Sequence, residues 1–234
     1  MTGAAGAANR TIAITGATSG FGLAIGQLFA SRGDRLVLVG RRQDRLDALV
    51  AEFGAARAHA LCCDVRDAET YAKALADLPE AFADVDVLIN NAGIGLGRER
   101  AQEARLSDWL AMLETNVTGL IAGTQALLSG MARRNRGHIV NIGSIAAQFP
   151  TPRNAIYAGT KAFARQFALC LQADLFGTMV RVSTVEPGQG GETEFTLLRE
   201  RGDEDLANSR YGTSRLLTPR DVADAARQAG RSAR

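Results

Sequence analysis

The sequence predicts an α/β protein built on a single doubly wound parallel sheet. Strand-like apolar runs alternate with longer segments of helical periodicity, and a glycine-rich turn follows the first run. Several runs are apolar enough to be buried on both faces, as strands of a parallel sheet are. Alternating strands and helices imply right-handed crossovers that cover both faces of the sheet. With 234 residues, we expect residues 10–234 to form one domain.

Six strands and four long helices follow from these patterns. The predicted strands are 11–15, 35–39, 58–62, 85–89, 138–142 and 180–185, and the predicted helices are 22–31, 42–52, 107–134 and 156–175. Residues 188–215 carry several glycines and many charges, and we expect them to form a substrate lid. Thr218 at the N-cap, Pro219 at N1 and Asp221 at N3 predict a last helix, which Gly230 is expected to end.

Composition excludes several classes of function. A net charge of +2 with both signs interspersed gives no reason to expect nucleic acid, and no apolar run is long enough to cross a bilayer. Residues 1–9 resemble a flexible lead rather than a signal peptide. The three cysteines, of which Cys62 and Cys63 are expected to be buried, form no metal or disulfide pattern. We therefore expect a cytoplasmic protein without a metal site.

The turn after the first strand, TGATSGFG from Thr15 to Gly22, is typical of a dinucleotide-binding, Rossmann-like fold. Its glycines allow a tight turn, and the following helix places its N-terminus against a pyrophosphate. Taken alone, such a turn is as often structural as functional, but here the flanking strand and helix supply the required context. The candidate cofactor residues are Gly16, Thr18, Ser19, Gly20, Phe21 and Gly22.

The end of the second strand indicates which dinucleotide binds. NAD-binding chains place a carboxylate there for the ribose hydroxyls, whereas this chain has Arg41 and Arg42. Two guanidiniums suit the 2′-phosphate of NADP(H). A solvated basic helix start is the alternative, although positive charge is unfavourable at a helix N-terminus.

Tyr157 and Lys161 are the strongest candidates for catalysis. They are four residues apart on a predicted helix and therefore share one face. The ordinary tyrosine pKa is about 10, and a nearby ammonium stabilises the phenolate and brings that pKa towards the working pH. Of the 27 basic residues only Lys73 and Lys161 are lysine, so a lysine at this position is notable in an arginine-rich chain.

Together these motifs resemble the short-chain dehydrogenase/reductase family. Asn90-Asn91-Ala92-Gly93, Asn116, Ser144, Tyr157 with Lys161, and Pro187-Gly188 occur in the family's order, most of them at strand ends. The resemblance implies a catalytic set of Asn116, Ser144, Tyr157 and Lys161, in which Ser144 holds the substrate oxygen and Asn116 supports a water relay. It also implies that Asp64, Val65, Asn90, Ala92, Gly93, Tyr157, Lys161, Pro187 and Gly188 bind the cofactor.

The family resemblance also bears on assembly. It implies a homodimer or homotetramer and a final edge strand after the last helix. Residues 230–234 have no strand character, so we expect the sheet to lack that strand. Another departure is Gln189-Gly190, where the closest subgroup of the family usually has apolar residues.

Stretches such as GRRQDRL from Gly40 and GETEF from Gly191 are similar to the family's NADP-dependent 3-hydroxy acid dehydrogenases, which act on serine, allo-threonine and related acids. The resemblance implies oxidation of a 3-hydroxy acid such as 3-hydroxypropionate, or the reverse reduction. Arg153 and the arginines of residues 199–215 are candidates to bind the substrate carboxylate, and a solvated Arg153 is the alternative. A broad carbonyl reductase and a non-catalytic NADP-binding protein stay open.

Overall fold

The computed structural model describes residues 9–191, 193–209 and 216–229. They contain one six-stranded parallel sheet with the strand order β3-β2-β1-β4-β5-β6. The strands are β1 (Thr11–Thr15), β2 (Arg35–Gly40), β3 (Ala58–Cys62), β4 (Val85–Asn90), β5 (Gly137–Ile142) and β6 (Val180–Val185). The predicted strands are confirmed, with differences of one residue at three ends.

Helices cover both faces of this sheet. They are α1 (Gly20–Ala30), α2 (Gln43–Phe53), α3 (Ala68–Ala76), α4 (Glu80–Ala83), α5 (Leu106–Leu113), α6 (Gly119–Arg133), α7 (Ala155–Asp174), α8 (Glu194–Arg199), α9 (Glu204–Ser209) and α10 (Pro219–Ala229). None of the helices within the described ranges combines the length and apolar character needed to cross a membrane.

The core has two layers, one on each side of the sheet. Alternation along β1 directs Ile12 and Ile14 into the layer that contains α1, α2 and α10, and directs Ala13 into the layer of α3, α6 and α7. Both layers are apolar, so the interior strands are buried on both faces. Burying both apolar faces of the sheet requires helices on each side, which accounts for the alternation of strands and helices along the sequence.

Strand order reverses at β1, which pairs with β2 on one side and β4 on the other. The chain therefore leaves the carboxyl ends of β1 and β4 in opposite directions and opens a crevice between them. Ligands of doubly wound sheets bind at this kind of position. Because the sheet is parallel, each strand that precedes a predicted site residue has its carboxyl end on the same side of the sheet as this crevice.

Three features differ from the sequence-based expectations. The predicted helix 107–134 is divided by a π-helical turn, Glu114–Thr118. The helices α3 and α4 were not predicted, because their sequences lack a long apolar period. Cys62 is exposed, so its predicted burial is wrong; it ends β3, which is an edge strand with solvent on one side.

The start of α10 agrees with the sequence. Thr218 donates its backbone N–H and its hydroxyl to the Asp221 carboxylate, and the Asp221 N–H donates to the Thr218 hydroxyl oxygen. This reciprocal capping box satisfies N–H groups that the helix leaves without partners. The predicted helix end at Gly230 lies outside the described residues, as do residues 1–8 and 231–234. Among the described residues, β6 forms one edge of the sheet.

Candidate functional site

The glycine-rich turn has the backbone geometry that an anion-binding loop needs. Gly16 and Gly20 have φ values of 66° and 52°, in the left-handed region that favours glycine. At Gly22, a Cβ atom would lie 2.2 Å from the Gly16 oxygen. The N-cap of α1, Ser19, makes no side-chain cap, and no acidic residue lies in the first turn. The N-terminus of α1 is thus suited to a pyrophosphate.

The loop after β4 is fixed against this turn by side-chain hydrogen bonds. The Thr15 hydroxyl accepts from the N–H groups of Asn91 and Ala92, each at 2.9 Å. The Asn91 amide nitrogen donates back to the Thr15 carbonyl at 2.8 Å. The buried Asn90 amide donates to Thr124 and Asn141, which places its side chain behind the crevice. The quoted motifs contain Thr15 and Asn91, but sequence reasoning gave them no positioning role, which depends on contacts across 76 positions of the chain.

Arg42 of the predicted phosphate site and the nearby Arg45 hold a carboxylate. Arg42 donates through Nη1 to Glu194 at 2.9 Å, and Arg45 donates to the other Glu194 oxygen at 2.7 Å. Arg42 also donates from Nε and Nη2 to the Thr18 hydroxyl, at 3.2 and 2.9 Å. An anion of this protein therefore occupies the cationic site at the end of β2, and these residues fit a phosphate in the same way. Arg45 was not predicted.

Arg41 and Asp64 lie beside this cluster, at the ends of β2 and β3. Arg41 Nη1 is 3.8 Å from Asp64 Oδ2, and its side chain is 63% exposed. Burial acts to raise the pKa of Asp64, but hydrogen bonds from Arg66 and the charge of Arg41 outweigh it and hold that pKa below its ordinary value. Asp64 is therefore anionic at neutral pH. The adjacent Val65 is buried against Gly119.

Lys161 is buried beneath the crevice and tied to the end of β5. Its ammonium donates to the Ile142 carbonyl at 2.8 Å and lies 5.8 Å from the centre of the Tyr157 ring. Burial lowers the pKa of Lys161 to about 8. A Cβ atom on Gly93 would lie 3.4 Å from the Lys161 nitrogen, so the loop after β4 lies close to the same ammonium.

Tyr157 and Ser144 meet above Lys161. Ser144 follows β5, and its hydroxyl accepts from the Ala146 N–H at 3.2 Å. Burial raises the pKa of Tyr157, and a hydrogen bond with Ser144 and the charge of Arg199 offset this only in part. In the cofactor-free protein the tyrosine is therefore protonated at neutral pH. The sequence-based expectation attributed the lowering influence to Lys161. The structure places both Lys161 and Arg199 near the ring, and Arg199 is the charge that lowers the pKa of Tyr157 in the free protein.

Asn116 lies in the π-helical turn between α5 and α6. Its side-chain oxygen accepts from the Ile94 N–H at 2.8 Å, and its amide donates to the Ile94 carbonyl and the Thr160 hydroxyl, at 2.9 and 3.0 Å. Single π-turns occur frequently at functional sites. The Asn116 side chain joins α7 to the loop after β4, which contains Gly93. Through these bonds Asn116 positions the residues that surround Lys161.

The segment after β6 passes over the crevice. The Pro187 carbonyl accepts from the Ile145 N–H at 3.0 Å, and Gly188 lies 3.9 Å from the Ile145 side chain, measured from an added Cβ. At Gly190 such an atom would lie 2.6 Å from the Phe21 ring, so glycine is the residue that fits there. This contact explains why Gly190 departs from the apolar pattern.

The helix α8 closes the crevice from above. Phe195 packs on Tyr157 with ring centres 5.5 Å apart, and the guanidinium carbon of Arg199 lies 5.4 Å from the centre of the same ring. A cavity remains between α8, α5 and the start of α7. Its lining residues are Leu96, Gly97, Glu99, Ala101, Ala104, Trp109, Met112, Arg153, Asn154, Ala155, Ile156, Tyr157 and Arg199.

The two arginines of this cavity differ in their surroundings. Arg153 is exposed, with a left-handed φ of 61°. Arg199 is 8% exposed, and its Nη2 donates to the Asn154 side-chain oxygen at 2.6 Å and the Arg153 carbonyl at 3.5 Å. Sequence reasoning named Arg153 because it lies between Ser144 and Tyr157, but only the fold shows that α8 brings Arg199 onto the ring.

Comparison with known proteins identifies the family of this chain. The family model described as short chain dehydrogenase matches residues 10–201. An NADP-dependent 3-hydroxy acid dehydrogenase of Salmonella typhi is 46% identical over 214 residues, which cover 92% of this chain and 86% of the relative. A serine 3-dehydrogenase of Rhizobium radiobacter is also 46% identical, over 92% of this chain and 85% of that protein.

A solved structure, the closed form of serine dehydrogenase complexed with NADP⁺, superposes with a TM-score of 0.91 at 44% identity. The match covers 93% of this chain and 88% of that one. Both the sequence match and the fold extend over nearly all of the described residues. The chain belongs to the short chain dehydrogenase family.

Proposed function

We propose that this protein is an NADP(H)-dependent oxidoreductase. It oxidises the hydroxyl of a 3-hydroxy acid such as serine, allo-threonine or 3-hydroxypropionate, or reduces the corresponding carbonyl compound. The observation that carries the proposal is the meeting of Ser144, Tyr157 and Lys161, with Tyr157 in the wall of the cavity below α8. The relatives named as NADP-dependent 3-hydroxy acid and serine dehydrogenases support the substrate class.

The cofactor residues are assigned from the crevice. The turn from Gly16 to Gly22 and the N-terminus of α1 receive the pyrophosphate, while Arg42 and Arg41 receive the 2′-phosphate. Asp64 and Val65 lie at the adenine end, and the loop from Asn90 to Gly93 and Pro187-Gly188 flank the nicotinamide end. When bound, NADP⁺ supplies the hydride acceptor for the oxidation, and NADPH the hydride donor for the reduction.

Proton transfer is assigned to Tyr157. During oxidation it accepts the hydroxyl proton as the carbinol carbon loses its hydride, and during reduction it returns that proton. Ser144 holds the same substrate oxygen. Because burial raises the pKa of Tyr157, the reduction begins from the protonated tyrosine of the free protein. Oxidation needs the phenolate, which the positive charges of Lys161 and Arg199 favour.

The experiment follows absorbance of the reduced nicotinamide with NADP⁺ and a panel of 3-hydroxy acids and neutral alcohols. We expect turnover of the acids and a loss of at least about a thousandfold in kcat for Tyr157→Phe, because proton transfer is removed. NADPH binding, measured by fluorescence, should be retained. Undiminished turnover in Tyr157→Phe would overturn the mechanism, and turnover of neutral alcohols alone would indicate a broad carbonyl reductase.

We further propose a homodimer or homotetramer located in the cytoplasm. Exposed apolar side chains on the outer surfaces of α5, α6 and α7 support the assembly. All three cysteines are free thiols, as suits a reducing compartment.

A further inference from the structure

We propose that Arg199 is the residue that recognises the substrate carboxylate, and that it selects 3-hydroxy acids over neutral alcohols. This inference rests on the proposed function, because it assigns a specificity residue to the same site. Its basis is the position of a buried guanidinium in the wall of the substrate cavity, 5.4 Å from the centre of the Tyr157 ring.

The shape of a 3-hydroxy acid places its carboxylate near Arg199 when its hydroxyl lies at Tyr157. In a 3-hydroxy acid a single carbon separates the hydroxyl-bearing carbon from the carboxylate. When Tyr157 and Ser144 hold the hydroxyl, the carboxylate of so short a substrate must therefore lie close to the Tyr157 ring. The Arg199 guanidinium lies beside that ring and lines the cavity with it. A planar guanidinium can bind a carboxylate through two parallel hydrogen bonds.

The surrounding contacts orient Arg199. Its Nη2 is held by the Asn154 side chain, which precedes α7, and by the backbone of Arg153. The residues that follow it are fixed as well: Glu200 pairs with Arg98, and Arg201 pairs with Glu99 and Asp108 at 2.8 Å each. The end of α8 is thus anchored to α5 and α7, which holds the guanidinium at the cavity wall. Preorganisation of this kind reduces the entropy lost on binding.

Arg153 lines the same cavity but is less suited to the role. Its side chain is exposed, and a charge in water interacts with a carboxylate more weakly than a buried one. Its backbone carbonyl accepts from Arg199, so Arg153 supports the position of the other arginine. Low dielectric around Arg199 strengthens its attraction for an anion.

The test compares 3-hydroxypropionate with 3-hydroxypropionamide, a neutral analogue of nearly the same shape. For Arg199→Gln, the ratio of kcat/KM for the acid to that for the amide should fall about a hundredfold, mainly through KM. Using a ratio cancels any effect of the lost charge on Tyr157, which both substrates share. Arg199→Lys should lower the ratio less than Arg199→Gln does. The control Arg220→Gln, which breaks an exposed ion pair with Asp224 on α10, should leave the ratio unchanged.

Each failure has a distinct signature. If wild type turns over neither compound nor serine and allo-threonine, or turns over only the amide, the proposed function fails. If wild type uses the acid but Arg199→Gln lowers both activities equally, or changes the ratio less than threefold, Arg199 is not the carboxylate receptor. A loss of ratio in Arg153→Gln instead would assign the role to Arg153. Retained NADPH binding and an unchanged melting temperature show that each variant is folded.

Discussion

Lys161 is the residue whose surroundings most constrain the site. Its ammonium is buried, donates to the Ile142 carbonyl and lies beneath the Tyr157 ring. Desolvation of the charge is expensive and lowers the pKa of the amine to about 8, from an ordinary value of 10.5. A lysine kept at such a cost to the folded state is consistent with a catalytic role.

This pKa shift predicts a pH dependence of stability. Below pH 8 the ammonium is charged in both the folded and unfolded chains, and its burial destabilises the fold. Between pH 8 and 10.5 the unfolded chain holds the additional proton, so the free energy of unfolding rises with pH. Lys161→Met removes this contribution, and the difference between wild type and variant should change by roughly 3 kcal/mol across that window.

Denaturant unfolding of the cofactor-free proteins at several pH values measures the difference. Tyr157, whose pKa is raised, titrates in both proteins and cancels. If the free energies of unfolding of wild type and Lys161→Met change in parallel from pH 7 to 10.5, the pKa of Lys161 is not lowered in the folded protein.

At the scale of elements, α8 connects the two ends of the site. Its first residue, Glu194, binds Arg42 and Arg45, while its last, Arg199, lies on Tyr157. Phe195 packs on the same tyrosine. A short helix therefore links the proposed 2′-phosphate site to the proposed carboxylate site, and the position of one depends on the other.

The Glu194 carboxylate predicts an effect on cofactor preference. A negative charge at the two guanidiniums opposes the 2′-phosphate, so Glu194→Gln should increase the preference for NADPH over NADH. We expect a change of about three- to tenfold, because the pair is partly exposed and screened. Dissociation constants for both cofactors should be measured by fluorescence, with Arg220→Gln as control.

Loss of lid contacts would weaken both cofactors equally and leave the ratio unchanged. A ratio that stays constant, or that falls, would show that Glu194 does not oppose the phosphate. Arg42→Gln should have the opposite effect on the ratio, since it removes a cation from the same site.

For the whole molecule, the helices opposite the sheet suggest how copies associate. Ile121 on α6 and Leu169 on α7 are 40% and 48% exposed, while their neighbours Ala122 and Ala168 face the core. Apolar side chains on the outer surface of a helical layer are typical of subunit contacts.

We therefore expect light scattering to give at least twice the chain mass of 24.8 kDa. Ile121→Glu combined with Leu169→Glu should shift the protein towards the monomer, because two charges would be buried in the contact. Phe176→Glu is the control: Phe176 is 93% exposed and lies just beyond α7. A monomeric wild type, or an assembly unaffected by the double substitution, would contradict the expectation.

The sequence by itself predicted the sheet and the principal residues of the candidate site. The strands were found because burial on both faces requires nearly continuous apolar runs, and the Gly16–Gly22 turn because its backbone conformation demands glycine. Tyr157 and Lys161 were found because four residues place two side chains on one helical face. These are short-range constraints, and short-range constraints are visible in a linear pattern.

Only the tertiary structure decided which distant groups share the site. Glu194 and Arg42 are separated by 152 positions, and Arg199 and Asn154 by 45. No local pattern encodes such contacts, because they arise from how α8 packs over the crevice. For the same reason the exposed Arg153 was named individually from the sequence, whereas the buried Arg199 was only one of several lid arginines. Burial is a property of the whole fold, and burial strengthens the interaction of the Arg199 charge with an anion.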